Sequence, residues 1–595
     1  MSVLLLKPSF TKTRYPRWIL CLLSIAGTAF LWTNIALSFP QILGVWVDVK
    51  SIPVNREEIG KIVERLKEAH FNAIFLESFY NGQTIYPSPF LASLGLPAQM
   101  ETFAQEGIDP LKIFLEEAHR RGVAVHAWIH FFYVSRNEPG AILSRFPHWA
   151  VVSREGKAGY QSGTNFLFWL CPLEEEVEAF YQKLLKELAN RYDLDGIQFD
   201  YFRFPEPTLA DTCYAEKHRR KFLEEYGVDP ITINPRRDGE FAERWIRFRS
   251  DGLTDFARNL TRTLREKYPH LRLSCAVKPL GFPLKRYPGS LQDWPRWAEE
   301  GLFDFLVPMT YSSRPAEFEG MLLWAKTFAP QIPLLSGVWT VNLTTSTILE
   351  EIERAQQYPL EGLVLFAYPY LTDETLRALS RLEPQEKEKR AIPPLSFYRE
   401  NARTIKALFT REPITVDGKL QEKTWQAIPF ESSFSLLTGG PSEKKSEVAV
   451  RYDEKNLYLA FRLQQFPQRE DRFTKRDEPV FYEDSLEVYL DPSGNEGIFY
   501  QLAVNEAQGL YDSSSLTGPS WNGNWKVGIA RDGDTLTAEV AIAFADLEVE
   551  RPEKGDTWGI NFYRNEPQEG MFCAFSPVPG VYAAPTLLGK LQFEN

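Results

Sequence analysis

The 595 residues exceed what a single hydrophobic core holds, so two or more domains are expected. Hydrophobic residues make up 44% and charged residues 25%, which excludes a globally disordered chain. A net charge of -12 without any long basic stretch excludes nucleic acid as the expected partner, while 14% aromatic residues suit either ring stacking on sugars or large cores.

Lys12, Arg14 and Arg17 precede an uncharged run from Trp18 to Phe39, long enough to span a bilayer. Ala36 and Ser38 form a small-x-small cleavage site at its end. Residues 1–40 therefore read as a signal peptide or an uncleaved membrane anchor. Either option exports the rest of the chain, which is then periplasmic, secreted or anchored to the membrane by this segment. Cys21, Cys171, Cys213, Cys275 and Cys573 are scattered and show no C-x-x-C pair. Neither a metal site nor a disulfide framework is read from them.

From Ile42 onward, short apolar runs alternate with amphipathic helices. The runs are ILGVWVD at 42–48, NAIFLES at 72–78, GVAVHAWIHFF at 122–132, DGIQFDY at 195–201, LRLSCAVK at 271–278, FDFLVPMTY at 303–311, IPLLSGVW at 332–339 and EGLVLFAY at 361–368. None alternates strictly, as expected of parallel strands buried on both faces. Ile59, Ile62, Val63 and Leu66 share one helical face before the second run, and Asp109-Pro110 opens the helix before the third. Eight such units predict a (β/α)₈ barrel over residues 41–382. The competitor, a doubly wound open sheet, is disfavoured by the strand count and by the lack of a glycine-rich loop after the first strand. Residues 383–412 are charged and proline-bearing and read as a linker. Residues 413–595 carry short alternating runs between Asp, Gly and Asn turns, the pattern of an antiparallel β-sandwich.

Barrel enzymes place their chemistry at the carboxyl ends of the strands. Those ends hold the carboxyls of Asp48, Glu77 and Asp200, together with His130, Tyr311, Trp339 and Tyr368. Cleaving a glycosidic bond takes one protonated carboxyl and a second group acting as nucleophile, base or cation stabiliser. Any one rim carboxylate is as readily a helix cap or an arginine partner; three at one rim favour chemistry. Arg203 can hold a substrate oxygen or pair with Asp200. Asp195, at the start of its strand, is expected to be structural. His126 and His130 share one strand face; a metal is not expected there, and His130 reads as a substrate contact. Tyr80, Trp128, Tyr311, Trp339 and Tyr368 are candidate sugar platforms or core filling.

The run DGIQFDYFRFP at 195–205 resembles the strand-four motif of the glycoside-hydrolase-family-10-like barrels, and Gly44-Val45-Trp46, Tyr86-Pro87-Ser88 and Pro308-Met309-Thr310-Tyr311 extend the likeness. Many members carry two adjacent acids where this chain has Asp200 followed by Tyr201. A chitinase-type D-G-x-D-x-D-x-E motif is absent, since Gln198 and Phe202 stand at its acidic positions. The resemblance also separates the chain from ordinary family-10 xylanases, because Ser336–Trp339 ends strand seven without a carboxylate. Asp200 is thus the expected general acid, with Glu77 as second carboxyl and Asp48 behind it; a substrate N-acetyl group acting as nucleophile is a further option.

Ile414–Lys419 with Trp425, then DSLEVYLD at 484–491, WNGNW at 521–525 and WGIN at 558–561, resembles family-9-type carbohydrate-binding modules. That resemblance implies sugar contacts at Tyr482, Trp521, Trp525 and Arg564, unless the domain serves only as a structural partner. No cofactor is expected; a structural calcium near Asp491 is left open. The expectation is an exported glycoside hydrolase acting on a cell-wall or extracellular polysaccharide, with peptidoglycan glycan strands first by resemblance. The alternative is an inactive polysaccharide-binding scaffold.

Overall fold

The computed structural model describes residues 42–595 except 163, 206–211, 236, 282–288, 383–388, 495–496 and 581–584. The N-terminal segment read as a signal or anchor lies outside the described residues. Among those described, no helix is long and apolar enough to cross a membrane.

Eight parallel strands build the first domain: β1 (Ile42–Val47), β2 (Ala73–Tyr80), β3 (Ala124–His130), β4 (Gly196–Asp200), β5 (Arg272–Val277), β6 (Phe305–Pro308), β7 (Leu335–Trp339) and β8 (Gly362–Phe366). Their order is β6-β5-β4-β3-β2-β1-β8-β7, and parallel bridges Leu306–Leu334 and Met309–Gly337 join the two ends. The sheet is a closed barrel. Alternation explains its two cores: on β2, Phe75 points inward to meet Trp46, Trp128, Phe305 and Val364, while Ile74 and Leu76 point outward to the helices. Inside, the Trp46 indole donates to Gln198 Oε1 at 2.6 Å.

The helices follow from local signals. Asn55 caps α1 (Arg56–Glu68), whose buried face is Ile59, Ile62, Val63 and Leu66. Asp109 caps α2 (Pro110–Arg120) by accepting from Lys112 N at 3.1 Å, with Pro110 in the first turn. Then come α3 (Glu175–Arg191), α4 (Glu216–Tyr226), α5 (Gly239–Lys267), α6 (Pro315–Phe328) and α7 (Thr345–Ala355). Asp195 accepts from Val125 N at 2.7 Å and lies 2.8 Å from His119, a bracing role at the foot of β4. Gly196 must be glycine, because a Cβ there would drive into the His126 ring and the Arg272 carbonyl. Between β3 and α3, the segments Tyr133–Arg136, Asn165–Trp169 and Tyr160–Ser162 form a separate three-stranded antiparallel sheet.

The second domain has 12 strands among the described residues, in one continuous sheet. Its long members are β9 (Thr404–Phe409), β10 (Ser446–Tyr452), β11 (Asn456–Leu463), β12 (Ser485–Asp491), β13 (Tyr500–Asn505), β14 (Leu510–Ser514), β15 (Lys526–Asp532), β16 (Thr535–Ala543), β17 (Thr557–Glu566) and β18 (Gly589–Glu594). Phe461 on β11 and Phe562 on β17 meet at 5.5 Å although three strands separate them in the sheet, so the sheet folds over into a sandwich. Two details differ from the sequence reading. Strand β9 falls inside the stretch taken as linker, and it pairs in parallel with both β10 and β18 rather than antiparallel. Its short Thr404–Phe409 run was masked by the charged residues around it.

The sandwich docks on the barrel. Leu437, Tyr489, Tyr563 and Phe572 belong to the same buried cluster as the barrel's outer core. The Arg314 guanidinium lies 4.8 Å from the Tyr482 ring, and Gly320 on α6 meets the Gly580 backbone so closely that neither has room for a Cβ. Gly320→Val is therefore expected to lower stability by about 2–3 kcal/mol through overpacking against immovable backbone, read as a reduced urea midpoint.

Candidate active site at the barrel mouth

Strands β2, β3 and β4 deliver Glu77, His130 and Asp200 to the same rim, and all three side chains are buried. His130 Nε2 stands 3.1 Å from Glu77 Oε1 and 3.9 Å from Asp200 Oδ2. Because both carboxyls flank one ring nitrogen, their nearest oxygens lie within about 7 Å of each other. That upper bound is compatible with the roughly 5–9.5 Å separations of carboxyl pairs that work on a glycosidic bond.

The electrostatics separate the two carboxyls. Burial pushes Glu77 up to about 8; the Val49 N–H, donating to Oε2 at 2.7 Å, opposes this, and the charges of Asp48 and Asp200 add to it. Asp200 instead accepts from the Trp128 indole at 3.0 Å and from Tyr201 N at 2.6 Å, with Arg203 at 3.5 Å. Burial drives His130 down to about 4, against the pull of Asp200, so the ring is neutral at ordinary pH. Asp48 accepts from Ser51 N at 3.0 Å, capping a short turn, and reaches Glu77 through its charge.

Aromatic rings surround this cluster. Tyr80 and Tyr201 lie 5.2 and 4.6 Å from His130. Tyr201 has a left-handed φ of 49°, uncommon for a side chain of its size. Tyr133 and Trp169, from the inserted sheet, extend that wall at 5.2 and 5.7 Å from Tyr201. On the other side, half-buried Trp339 stacks on Phe366 at 5.3 Å and meets Tyr311 at 5.0 Å. A trough of about 580 Å³ lined by Val49, Lys50, Tyr80, Gln83 and Met100 lies on the far side of Tyr80, with none of Glu77, His130 or Asp200 in its lining.

Most of the residues singled out from the barrel sequence meet here: Asp48, Glu77, His130, Asp200, Arg203, Tyr80, Trp128, Tyr311 and Trp339. The Arg203 guanidinium also lies 4.4 Å from the Tyr201 ring. Tyr368 stands apart, since it packs in the outer layer with its hydroxyl accepting from Arg65 at 3.3 Å. Tyr201, Tyr133, Trp169 and Phe366 were not singled out; nothing local in sequence shows that the loop after β3 folds back over β4.

The sandwich residues are placed differently from the platform expected. Trp521 packs on Tyr500 inside the core, and Trp525 is buried with its indole on Asp512 at 2.9 Å. Arg564 is fully buried, binding Glu566 and the carbonyls of Lys445 and Gln464. Aromatic and arginine side chains look alike in sequence whether they fill a core or face solvent. Tyr482 is exposed, beside Arg314 at the junction with the barrel. Asp491 accepts from Ser493 N at 2.9 Å and Gly497 N at 3.2 Å, a turn-closing use of its carboxylate.

Residues 41–346 match the glycosyl hydrolase-like 10 family, and residues 416–578 match the carbohydrate family 9 binding domain-like family. The glycosyl hydrolase DigH of Escherichia coli (strain K12) is 27% identical over 369 residues, covering 54% of this chain and 77% of its own. The glycosyl hydrolase YngK of Bacillus subtilis is 22% identical over 286 residues, covering 45% of this chain and 52% of its own. A family 9 carbohydrate binding module from Caldicellulosiruptor kristjanssonii, solved in complex with glucose, superposes with a TM-score of 0.26 at 14% identity, covering 32% of this chain and 96% of that one.

Two predictions follow from the charges. The folded chain keeps the Glu77 proton to about pH 8, whereas the unfolded chain loses it near 4.5. The buried carboxyl therefore costs nothing below about pH 4.5 and progressively more up to about 8. Glu77→Gln should leave stability unchanged at about pH 4 and raise it by up to about 4 kcal/mol at about pH 8, read from urea midpoints. Arg564→Ala, which leaves buried Glu566 with Lys444 as its remaining cation and deprives the Lys445 and Gln464 carbonyls of their donor, should destabilise by about 3–5 kcal/mol in the same assay. By the extent of its match and the barrel it builds, this chain belongs to the glycosyl hydrolase-like 10 family.

Proposed function

We propose that the protein is an exported glycoside hydrolase cleaving a cell-wall or extracellular polysaccharide, with peptidoglycan glycan strands the first substrate class. The observation that carries this reading is the buried pair of Glu77 and Asp200 across neutral His130, inside a ring of aromatic side chains. The names of the E. coli and B. subtilis relatives support the reaction class, and the family-9-like domain supports a polysaccharide partner. The basic flank and uncharged run before Phe39 support export.

The roles divide by environment. Glu77, protonated at neutral pH, gives the proton to the leaving oxygen. Asp200, oriented by the Trp128 and Tyr201 N–H groups, acts on the sugar as base, nucleophile or cation stabiliser. This reverses the assignment expected from sequence, because strand position alone does not show which donors each buried carboxyl receives. Trp339, Tyr311 and Tyr80 supply ring faces for the sugar.

The test is reducing-end release from intact and denuded peptidoglycan, chitosan, xylan and an exopolysaccharide. Release from one of them should fall by about 10²–10⁴-fold in both Asp200→Asn and Glu77→Gln. Activity of the unsubstituted chain should decline as pH rises through about 8, where Glu77 loses its proton. The depth of the three polar groups favours one competitor, a glycan-holding scaffold. Binding without release from any glycan would establish that alternative.

A further inference from the structure

Away from the carboxyl pair, one cluster of reactive side chains is assembled from three separate segments. Cys171 follows the inserted strand Asn165–Trp169, Cys213 lies on the return from β4, and His218 is in the first turn of α4. The Cys171 and Cys213 sulfurs are 2.6 Å apart, and His218 Nδ1 lies 3.8 and 3.5 Å from them. The other ring nitrogen of His218 stands 3.1 Å from Glu174. Both cysteines, His218 and Glu174 are buried. Cys213 has a φ of 71°, a left-handed backbone that a cysteine rarely adopts. The sequence reading found no cysteine pair because the partners are 42 positions apart.

Two chemistries suit such a cluster. A metal ion bound by both thiolates would hold the sulfurs about 3.7 Å apart, given metal–sulfur bonds of about 2.3 Å in a tetrahedral arrangement. The sulfurs are well inside that spread and inside van der Waals contact. We propose that Cys171 and Cys213 are a disulfide-forming pair, cross-linking the insertion after β3 to the segment after β4 in the mature protein. The inference is independent of whether the mouth hydrolyses glycans.

His218 and Glu174 give the pair its reactivity. Burial favours the neutral thiol of Cys171, but contact with Cys213 and with His218 outweighs it and holds Cys171 below the usual thiol range. His218, though buried, is raised to about 9 by Cys171 and Glu174, so it stays charged beside the thiolate. The oxidant, which rests on the proposed export, is a disulfide of an extracytoplasmic protein thiol oxidase that meets the pair while the chain is folding, before burial closes over both sulfurs. The Cys171 thiolate attacks one of its sulfurs and expels the other as a thiolate. Cys213 then gives up its proton, attacks the Cys171 sulfur and expels the second. The new S–S bond costs the pair two electrons and two protons, and the oxidant leaves as a dithiol.

The cross-link closes a loop that contains β4 and Asp200. Just before it, the Trp169 indole donates to the Arg203 carbonyl inside the loop at 2.8 Å, tying the same two segments together.

The experiment is thiol alkylation and peptide mass mapping of the full chain secreted from a bacterial host, with metal content measured on the same sample. Under denaturing conditions without reductant, Cys275 and Cys573 should alkylate fully. Cys171 and Cys213 should appear as one linked peptide pair that alkylates only after reduction. Reductant should lower the Tm by about 5 °C. A double Cys171→Ala, Cys213→Ala variant should lose that response. Free, alkylatable thiols at both positions overturn the proposal, as does a stoichiometric zinc ion released by chelator together with two thiols. A Tm still sensitive to reductant in the double variant overturns it equally.

Discussion

A carboxyl in dry surroundings cannot ionise cheaply, and the mouth of this barrel is built around one. The Glu77 side chain is enclosed by the strand ends and by the turn that Asp48 caps, and its proton stays on to about pH 8. Beside it, the same burial keeps His130 uncharged, so the two groups meet as neutral partners rather than as an ion pair. Asp200 sits one ring away, where an indole N–H and a backbone N–H replace the water it lacks. One low-dielectric pocket thus holds two carboxyls in different conditions. The surrounding aromatic rings maintain that difference by keeping water out.

How much of this was legible in the sequence depends on the range of the interaction. The barrel strands were readable because each is a local apolar run, and so were Glu77, His130 and Asp200, because the end of a strand is a local position. The placement of Asp195 at the foot of β4 followed from the same rule. What escaped is non-local. Tyr201 closes over His130 only because its backbone turns left-handed, and Tyr133 and Trp169 reach it only because the insertion folds back. The different surroundings of Glu77 and Asp200 could not be told apart either, since the N–H groups that each carboxyl accepts from belong to neighbours set by the fold.

The sandwich shows the opposite error. Trp521, Trp525 and Arg564 stand in segments that resemble a sugar-binding module, yet they fill and brace the core. Arg564 donates to two carbonyls and to Glu566, which fixes strands 100 or more positions apart. Such residues meet a packing demand of the fold, so likeness at the level of domain type does not by itself assign individual contacts. Strand β9 was hidden for a related reason, since its six residues gain strand character only from flanking partners β10 and β18.

The glycine contact between Gly320 and Gly580 bears on how this pair of domains is inherited. Binding modules of multidomain chains are commonly treated as cassettes, exchanged between genes by recombination and active in any new setting. Here Tyr489, Tyr563, Phe572 and Leu437 share the core of the neighbouring barrel. A cassette excised with them would present a greasy face to water and invite aggregation. At this junction, therefore, each domain constrains which substitutions the other can accept.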